Sequence, residues 1–453
     1  MTRHDIFDQP VTLPAEAVGH WNATCLAFLA HGAATPLHLA KLAEAAPGHA
    51  APHALRGMFY MLLGRRELFE EAQVALDAAR TRAEGTNARE RALIDTLAAL
   101  LDGHYRPAIA ALEAALDRAP GDTLAMKLSH AIRFVTGDAA GMRASVERTL
   151  ADHGPGHAGR GYVLGCHAFA LEETGEFDRA ARTGRAALQA AADDAWALHA
   201  VAHVHDMTGD AAGGLAWLDA HGDAAAGCNN FRFHIWWHRA LMLLDLGRLD
   251  EALQLYDAKV RAEHTDDYRD IANATSLLTR LELEGVDVGD RWVELADLSE
   301  RRTEDACLVF ADLHYLLALE ADGREDAAAR MLGRLARCAE APADGVEARM
   351  AQPGLDTASG IAAFAHSDYS GAFAALSRAR PHLPDAGGSH AQRDVFERLA
   401  IDAGLRAGQI AGAEALLAAR AARRGGHEDG YAAARRALIA QAQKPVPRAA
   451  TGP

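Results

Sequence analysis

The stretch "GHYRPAIAALEAALDRAP", residues 103–120, contains the pattern that decides the fold of this chain. A glycine opens it, an aromatic or aliphatic residue follows two positions later, and a small residue follows three positions after that. The pattern recurs in four later stretches, which begin at Gly175, Gly247, Ser367 and Gly408. Gly103 and Gly137 are 34 residues apart, as are Gly175 and Gly209. A period of about 34 residues is typical of tetratricopeptide repeats.

The composition agrees with an array of packed helices. Half of the residues are hydrophobic, but only 6% are aromatic, and alternating runs of Val, Ile and Thr are nearly absent. Small residues such as Ala108 and Ala180 let two helices approach closely where they cross. We therefore predict an all-α, tetratricopeptide-like solenoid of helical hairpins. It should wind into a right-handed superhelix that can close around a central pocket, with the first helix of each hairpin on the concave side.

The pattern also predicts how the chain is divided. We expect an N-terminal extension at 1–20, a single repeat domain of about nine to ten hairpins at 21–442, and a disordered tail at 443–453. The segment near 271–300 is helical by period but poor as a repeat, so we expect a divergent unit there. The tail, "QKPVPRAATGP", carries proline and small polar residues without an apolar face.

Charge and cysteine content exclude several classes of protein. The formal net charge is −16, and the arginines are interspersed with acids, so a continuous basic surface for nucleic acid is not expected. Five cysteines, an odd number with no C-x-x-C spacing, predict neither a disulfide framework nor a zinc knuckle. The sequence lacks an apolar stretch that would serve as a secretion signal or membrane span. We therefore expect a cytoplasmic protein that binds neither nucleic acid nor membranes; its oligomeric state stays open.

One predicted helix is unusually rich in histidine. The stretch "WALHAVAHVHDMTGD", residues 196–210, contains a turn glycine, Gly209, directly before its last residue. Because an α-helix advances 100° per residue, His199, His203 and Asp206 fall on one narrow stripe. The hairpin phase turns this stripe toward the concave side.

The next first helix repeats the arrangement. In "FHIWWHRALMLLDLG", residues 233–247, His234, Trp237 and His238 share one face. Adjacent packed helices lie roughly 8–10 Å apart, so the two stripes should face each other across one groove. In "FADLHYLLALE", His314 lies near the start of another helix. These four residues are predicted to bind a ligand.

A metal ion is one interpretation of the histidine stripe. Histidines at i and i+4 can chelate zinc, with Asp206 or His234 as a third ligand to His199 and His203. The metalloprotease motif HExxH is incomplete, because position 200 is alanine. Acid/base catalysis and anion recognition by imidazole remain alternatives to zinc, as does a role as hydrogen-bonded core residues.

A second dense motif lies near the C-terminus. In "GGSHAQRDVFERL", residues 387–399, a Gly-Gly-Ser turn and His390 precede a helix that carries Arg393 and Asp394. Free backbone N–H groups at such a turn, with Arg393 nearby, could bind a carboxylate or phosphate. The alternative is a simple N-cap by Ser389.

These motifs together resemble the tetratricopeptide repeat protein 38 family, over about residues 20–425. The resemblance implies an all-helical, cytosolic repeat protein but no established chemistry. It matches the unusual family positions to His199, His203, His234, His238, His314, His390, Arg393 and Asp394. Two positions depart from the family pattern: Asn273 stands where Asp is expected, and Thr279 where Trp is expected. These departures leave the role of the middle segment open.

Three functional hypotheses follow. The first is a binding module that holds a small anionic molecule or a peptide segment in a pocket lined by His, Trp and Arg. The alternative is an enzyme, a hydrolase or lyase acting on a small polar substrate, either without a cofactor or with a metal such as zinc. Its catalytic candidates are His199, His203, Asp206, His390 and Asp394. The third is a scaffold whose buried polar residues set the register of neighbouring repeats.

Overall fold

The computed structural model describes residues 3–340 and 353–442 of the chain. Two short antiparallel strands come first, β1 (Arg3–His4) and β2 (Pro10–Val11), with Arg3 opposite Val11. The backbone N–H of Thr12 donates to the Glu90 carboxylate at 2.9 Å, which fastens this segment to the helical body. The remaining regular structure in the described ranges is helical, so the predicted all-α class is confirmed.

The helices follow one another as antiparallel neighbours. The first half comprises α1 (Ala15–Leu29), α2 (Thr35–Ala45), α3 (Ala50–Leu62), α4 (Leu68–Thr81), α5 (Ala88–Leu101), α6 (Tyr105–Arg118), α7 (Thr123–Val135), α8 (Ala139–Thr149), α9 (Arg160–Glu173), α10 (Phe177–Ala190), α11 (Ala195–Met207) and α12 (Ala211–His221). The second half comprises α13 (Phe231–Asp245), α14 (Leu249–Leu255), α15 (Tyr268–Leu283), α16 (Arg291–Glu300), α17 (Val309–Ala321), α18 (Glu325–Ala339), α19 (Leu355–Ala365), α20 (Tyr369–Ala379), α21 (His390–Arg406), α22 (Ile410–Arg423) and α23 (Gly430–Ala442). Odd and even members pair as hairpins from α1/α2 to α21/α22.

Glycine in a left-handed conformation closes the repeated turn. Gly209, between α11 and α12, has φ of 68°. Its N–H donates to the carbonyl of Asp206, and the Asp210 N–H donates to the carbonyl of His205, which satisfies the last carbonyls of α11. The Asp210 side chain then caps α12 by accepting from the Gly213 N–H. One short segment thus ends one helix and begins the next, which explains why the turn recurs with the repeat.

The predicted turns occur where the sequence pattern places them. Even Ser367, which replaces the usual glycine between α19 and α20, has a positive φ of 61°. The divergent stretch 271–300 lies within the hairpin α15/α16. A further hairpin, α1/α2, precedes the predicted ones, and its first helix begins inside the segment 1–20. The proposed tail, 443–453, lies outside the described residues, and the domain boundaries stay a prediction.

The array curls until units far apart in the chain touch. The Ala33 N–H donates to the Gly227 carbonyl at 2.9 Å, and Arg302 pairs with Glu67 at 2.7 Å. The His390 N–H donates to the Glu173 carboxylate at 2.8 Å, over 217 positions of sequence. Because of these closures, helix faces that would line an open groove are covered by other parts of the chain.

The core consists mainly of two large apolar clusters that meet at α11. One involves residues from Phe7 to Ala200 and the other residues from Ala195 to Ala400. Ala180 and Ala252, at the predicted small-residue position, are fully buried. These small side chains therefore let the two helices of a hairpin approach closely, as the sequence predicted.

Within the described ranges, every helix is too short or too polar to cross a bilayer.

Candidate functional site

Four histidines from two successive hairpins meet at one point, and we call them the histidine cluster: His199, His203, His234 and His238. Helix α11 supplies the first two and α13 the other two, each pair one helical turn apart. The Nε2 atom of His199 lies 2.9 Å from that of His203 and 3.0 Å from that of His234. The Nε2 atoms of His234 and His238 are 3.2 Å apart. One ring nitrogen from each residue lies within 4.8 Å of all the others.

The cluster is buried, and burial controls its protonation. None of the four residues is more than 7% exposed. Burial, reinforced by the neighbouring imidazoles, lowers the pKa of His199 and His238 well below the usual range. Burial also lowers the pKa of His234 to about 3. Three of the four rings are therefore neutral near pH 7, and each retains a nitrogen lone pair.

The outer nitrogens of the cluster face two other helices. The Nδ1 atom of His234 lies 2.8 Å from Oδ1 of Asn273 on α15. The Nδ1 atom of His203 lies 3.5 Å from the carboxylate of Glu172 on α9. Burial alone would lower the pKa of His203, but Glu172 raises it above its ordinary value. Asn273, one of the departures from the family pattern, thus orients a histidine through a neutral amide.

Two residues predicted to share this face have other partners. Asp206 was expected as a third metal ligand or as a catalytic residue. The structure instead places its carboxylate 3.5 Å from Arg424, and its backbone carbonyl also accepts from Arg424. Trp237 was expected to line a groove, but it is fully buried, and its Nε1–H donates to the Ser276 hydroxyl at 3.0 Å.

The residues that follow the Gly-Gly-Ser turn bind a carboxylate of the protein itself, that of Glu173. Ser389 caps α21 in a capping box with Gln392, as the simpler interpretation predicted. The Glu173 carboxylate accepts from the His390 N–H at 2.8 Å and from the Arg393 guanidinium at 3.3 Å. The Nε2 atom of His390 also lies 3.0 Å from the Glu173 carbonyl oxygen. The predicted carboxylate site is therefore occupied from within the chain.

Asp394 belongs to an ionic network with arginines. Arg420 bonds Asp394 through Nε at 2.5 Å and Asp429 through Nη1 at 3.0 Å. Arg398 bonds Asp394 at 2.7 Å. Burial alone would raise the pKa of Asp394, but these arginines hold that pKa well below its usual range. The catalytic role expected for Asp394 therefore gains no support from these contacts and stays a prediction.

A cavity of about 270 Å³ lies beside this network, and we call it the arginine pocket. Its lining contains six arginines and three carboxylates. The charged lining residues are Arg380, Arg393, Arg398, Arg420, Arg423, Arg424, Asp206, Asp394 and Glu397. His390 also lines it, whereas the histidine cluster does not. The predicted site residues near 200 and near 390 thus contribute to one region but not to one common cavity.

His314 lies apart from both sites. Its ring packs against Phe310 and Phe396, with centroids 4.3 and 5.2 Å away. Its Nδ1 atom lies 2.7 Å from the Phe310 carbonyl oxygen. Burial lowers the pKa of His314 to about 4. His314 lines neither the arginine pocket nor the histidine cluster, so its predicted role in ligand binding stays a prediction.

Sequence reasoning missed Glu172, although a signal for it was present. Glu172 precedes Asp206 by 34 residues, so the two acids hold equivalent positions in successive repeats. The repeat register would have identified Glu172 as a carboxylate facing the next histidine-bearing helix. The arginines of α22 were also missed, because basic residues on a helix are usually solvated.

Comparison with known proteins leaves the assignment at the level of fold. No protein-family model matches the chain. The human IFIT1 dimer with PPP-AAAA is 14% identical, with a TM-score of 0.41 over 87% of this chain and 91% of that one. Naa15/Naa10 bound to HypK-THB is also 14% identical, with a TM-score of 0.25 over 94% of this chain and 66% of that one. Similarities this distant carry no argument about ligand or activity. The chain folds as an all-α array of successive helical hairpins, and the narrower family resemblance stays a prediction.

Proposed function

We propose that this protein binds a small molecule with two or more negative charges in the arginine pocket. The observation that carries the proposal is the density of guanidinium groups: six arginines and three carboxylates line the pocket, and Glu173 and Asp429 pair with some of these arginines from outside the lining. Guanidinium groups bind carboxylates and phosphates through paired, charge-assisted hydrogen bonds. A pocket of this lining therefore favours ligands of that chemistry.

The inner arginines are held in place before a ligand arrives. Arg420 is fixed by Asp394 and Asp429, and Arg393 by Glu173. Side chains ordered in advance lose less conformational entropy on binding, so affinity rises without new contacts.

The rim carries the positive charge that is least neutralised. Arg380 and Arg423 both face Glu397. The two guanidinium groups thus share one carboxylate, whose pKa is raised by burial although Arg423 acts in the opposite direction. The side chain of Arg423 is 37% exposed and that of Arg380 is 28% exposed, so both can reach a ligand at the entrance.

The size of the pocket favours a small molecule over a peptide. Its volume of about 270 Å³ lies near the lower end of the range for ligand sites. A peptide segment needs an extended groove, but here the curled array covers the predicted concave face. The overall charge of −16 also opposes a nucleic-acid strand as the occupant.

Binding is favoured over catalysis by the position of the imidazoles. A hydrolase or lyase in this pocket would need a general base within hydrogen-bond reach of the substrate. His199 and His203 do not line the pocket. The imidazole that does, His390, already lies 3.0 Å from the Glu173 carbonyl oxygen through its Nε2 atom.

The proposal is tested by titrating the protein with pyrophosphate and citrate in a calorimeter. We expect saturable binding of at least one of these anions, weakened by added salt because the contacts are ionic. The double variant Arg380→Gln, Arg423→Gln should bind at least about tenfold more weakly, since a hydrogen bond to a charged group contributes about 1.5–3 kcal/mol.

The control is Arg239→Gln, which removes an arginine that pairs with the exposed Asp219 and does not line the pocket. This variant should bind as the unaltered protein does. The proposal fails if neither anion binds the unaltered protein, or if the control loses as much affinity as the double variant.

A further inference from the structure

The histidine cluster is a second site, separate from the arginine pocket. We propose that His199, His203, His234 and His238 together bind one divalent transition-metal ion through their Nε2 atoms, with zinc as the best fit. The inference is independent of the anion-binding function, because none of the four histidines lines the arginine pocket.

The spacing of the nitrogens fits tetrahedral coordination. Zinc binds imidazole nitrogen at about 2.0–2.1 Å, so two ligands of a tetrahedral site are about 3.3–3.4 Å apart. The three Nε2 to Nε2 distances along the chain of contacts from His203 through His199 and His234 to His238 are 2.9, 3.0 and 3.2 Å. One ion at the centre can thus contact all four nitrogens after adjustments of a few tenths of an ångström.

Hydrogen bonds alone account poorly for this arrangement. When Nδ1 of His234 donates to Asn273, its Nε2 atom carries a single lone pair in the ring plane. Yet the Nε2 atoms of both His199 and His238 approach that one position. One lone pair in the ring plane can accept a hydrogen bond from only one of these two N–H groups with good geometry. A cation at the centre, in contrast, attracts the lone pairs of all four rings together.

The surroundings supply the carboxylate and amide that metal-bound histidines commonly use. Ligating histidine usually donates its other ring N–H to a carboxylate or carbonyl, which fixes the ring orientation. Asn273 accepts from His234, and Glu172 lies beside Nδ1 of His203. Glu172 is fully buried, and neither of its oxygens has a hydrogen-bond partner among the described residues. The His203 imidazole lies 3.5 Å from this carboxylate. A divalent cation held by that ring would further offset the cost of burying the carboxylate.

The metal would join successive repeats. The four ligands come from α11 and α13, while α9 and α15 supply Glu172 and Asn273. Sites with four protein ligands are typically structural, since no position is left for substrate. The ion therefore cross-links two neighbouring hairpins directly, and Glu172 and Asn273 extend the contact to the hairpins on either side.

The first test is elemental analysis by mass spectrometry of the full chain purified from cells grown with added zinc. We expect about one zinc ion per chain, and His199→Gln and His234→Gln should each retain less than a tenth of it. His314→Gln is the matched control, because it alters an equally buried histidine outside the cluster and should keep the metal.

A second measurement guards against variants that do not fold. Asn273→Leu keeps all four ligands but removes the acceptor for His234, so zinc affinity in a chelator competition should fall roughly 10–100-fold. Removing zinc should lower the melting temperature of the unaltered protein, and restoring it should reverse the change. The proposal is overturned if the unaltered protein holds no metal and its melting temperature does not change when zinc is added. That result would leave the cluster as a hydrogen-bonded network. Loss of metal from His314→Gln would equally contradict the site.

Discussion

Arg420→Met is expected to lower the free energy of unfolding by about 3–5 kcal/mol, because removing one partner of a buried ion pair leaves the other charge uncompensated. Arg420 bonds both Asp394 and Asp429; Arg420 and Asp429 are buried, and the Asp394 side chain is 14% exposed where it lines the arginine pocket. Methionine fills much of the space but donates no hydrogen bond. Urea denaturation followed by circular dichroism measures the change.

The same variant should alter how stability depends on pH. Burial alone would raise the pKa values of Asp394 and Asp429. Arg420 and Arg398 nevertheless hold both values below the ordinary aspartate value. A carboxyl whose pKa is depressed on folding stabilises the protein above its unfolded pKa, about 3.9. That contribution is lost as pH falls from there toward the folded pKa. The unaltered protein should therefore lose stability more steeply below about pH 4 than Arg420→Met does.

The control replaces a half-buried arginine whose ion-pair partner lies at the surface. Arg239→Met breaks a pair with Asp219, whose side chain is 63% exposed. Exposed pairs contribute about 0–1 kcal/mol, so this change should be small. Equal destabilisation by the two substitutions would show that the network around Arg420 contributes no more to stability than a surface ion pair does.

Gly137→Ala is expected to destabilise the protein by about 2–5 kcal/mol. Gly137 lies in the turn between α7 and α8 with φ of 72°, a conformation that costs an L-residue about 1–2 kcal/mol. A Cβ atom there would also overlap the carbonyl oxygen of Pro384, a backbone group that cannot rotate away. Overpacking of this kind adds about 1–3 kcal/mol. Thermal and urea unfolding would report the sum.

Gly175→Ala provides a matched control in the next hairpin. Its φ is 82°, but a Cβ atom would meet nothing within 4 Å. Only the backbone cost of about 1–2 kcal/mol applies, so this variant should be clearly the more stable of the two. The account of the turn contact is wrong if the two alanine variants are equally stable.

Much of the fold could be predicted because its signals are local. The turn glycines, the residue two positions later and the buried alanines repeat with the period of one hairpin, as Ala180 and Ala252 illustrate. The first hairpin, α1/α2, was not predicted because its turn lacks this pattern: His31 there takes the positive φ of 55°.

The candidate site could be predicted only in part. Helical spacing brought His199 together with His203, and His234 with His238, and all four meet in the structure. Asp206 lies on the predicted stripe, but it faces Arg424, a residue 218 positions away. Helical periodicity identifies residues on the same face, but it carries no information about which distant segment packs against that face.

The amino-acid sequence is enough to establish the hairpin period, the phase of each helix and the pairing of histidines within a helix, since these depend on geometry within about ten residues. The curling of the array was decided by tertiary packing, which buries the histidine cluster, fills the α21 N-terminus with Glu173 and assembles the arginine pocket. Gly137 and Gly175 look alike in sequence, yet only the first presses against a distant carbonyl. Small differences in angle between hairpins accumulate along a solenoid, so contacts between remote repeats depend on the whole array.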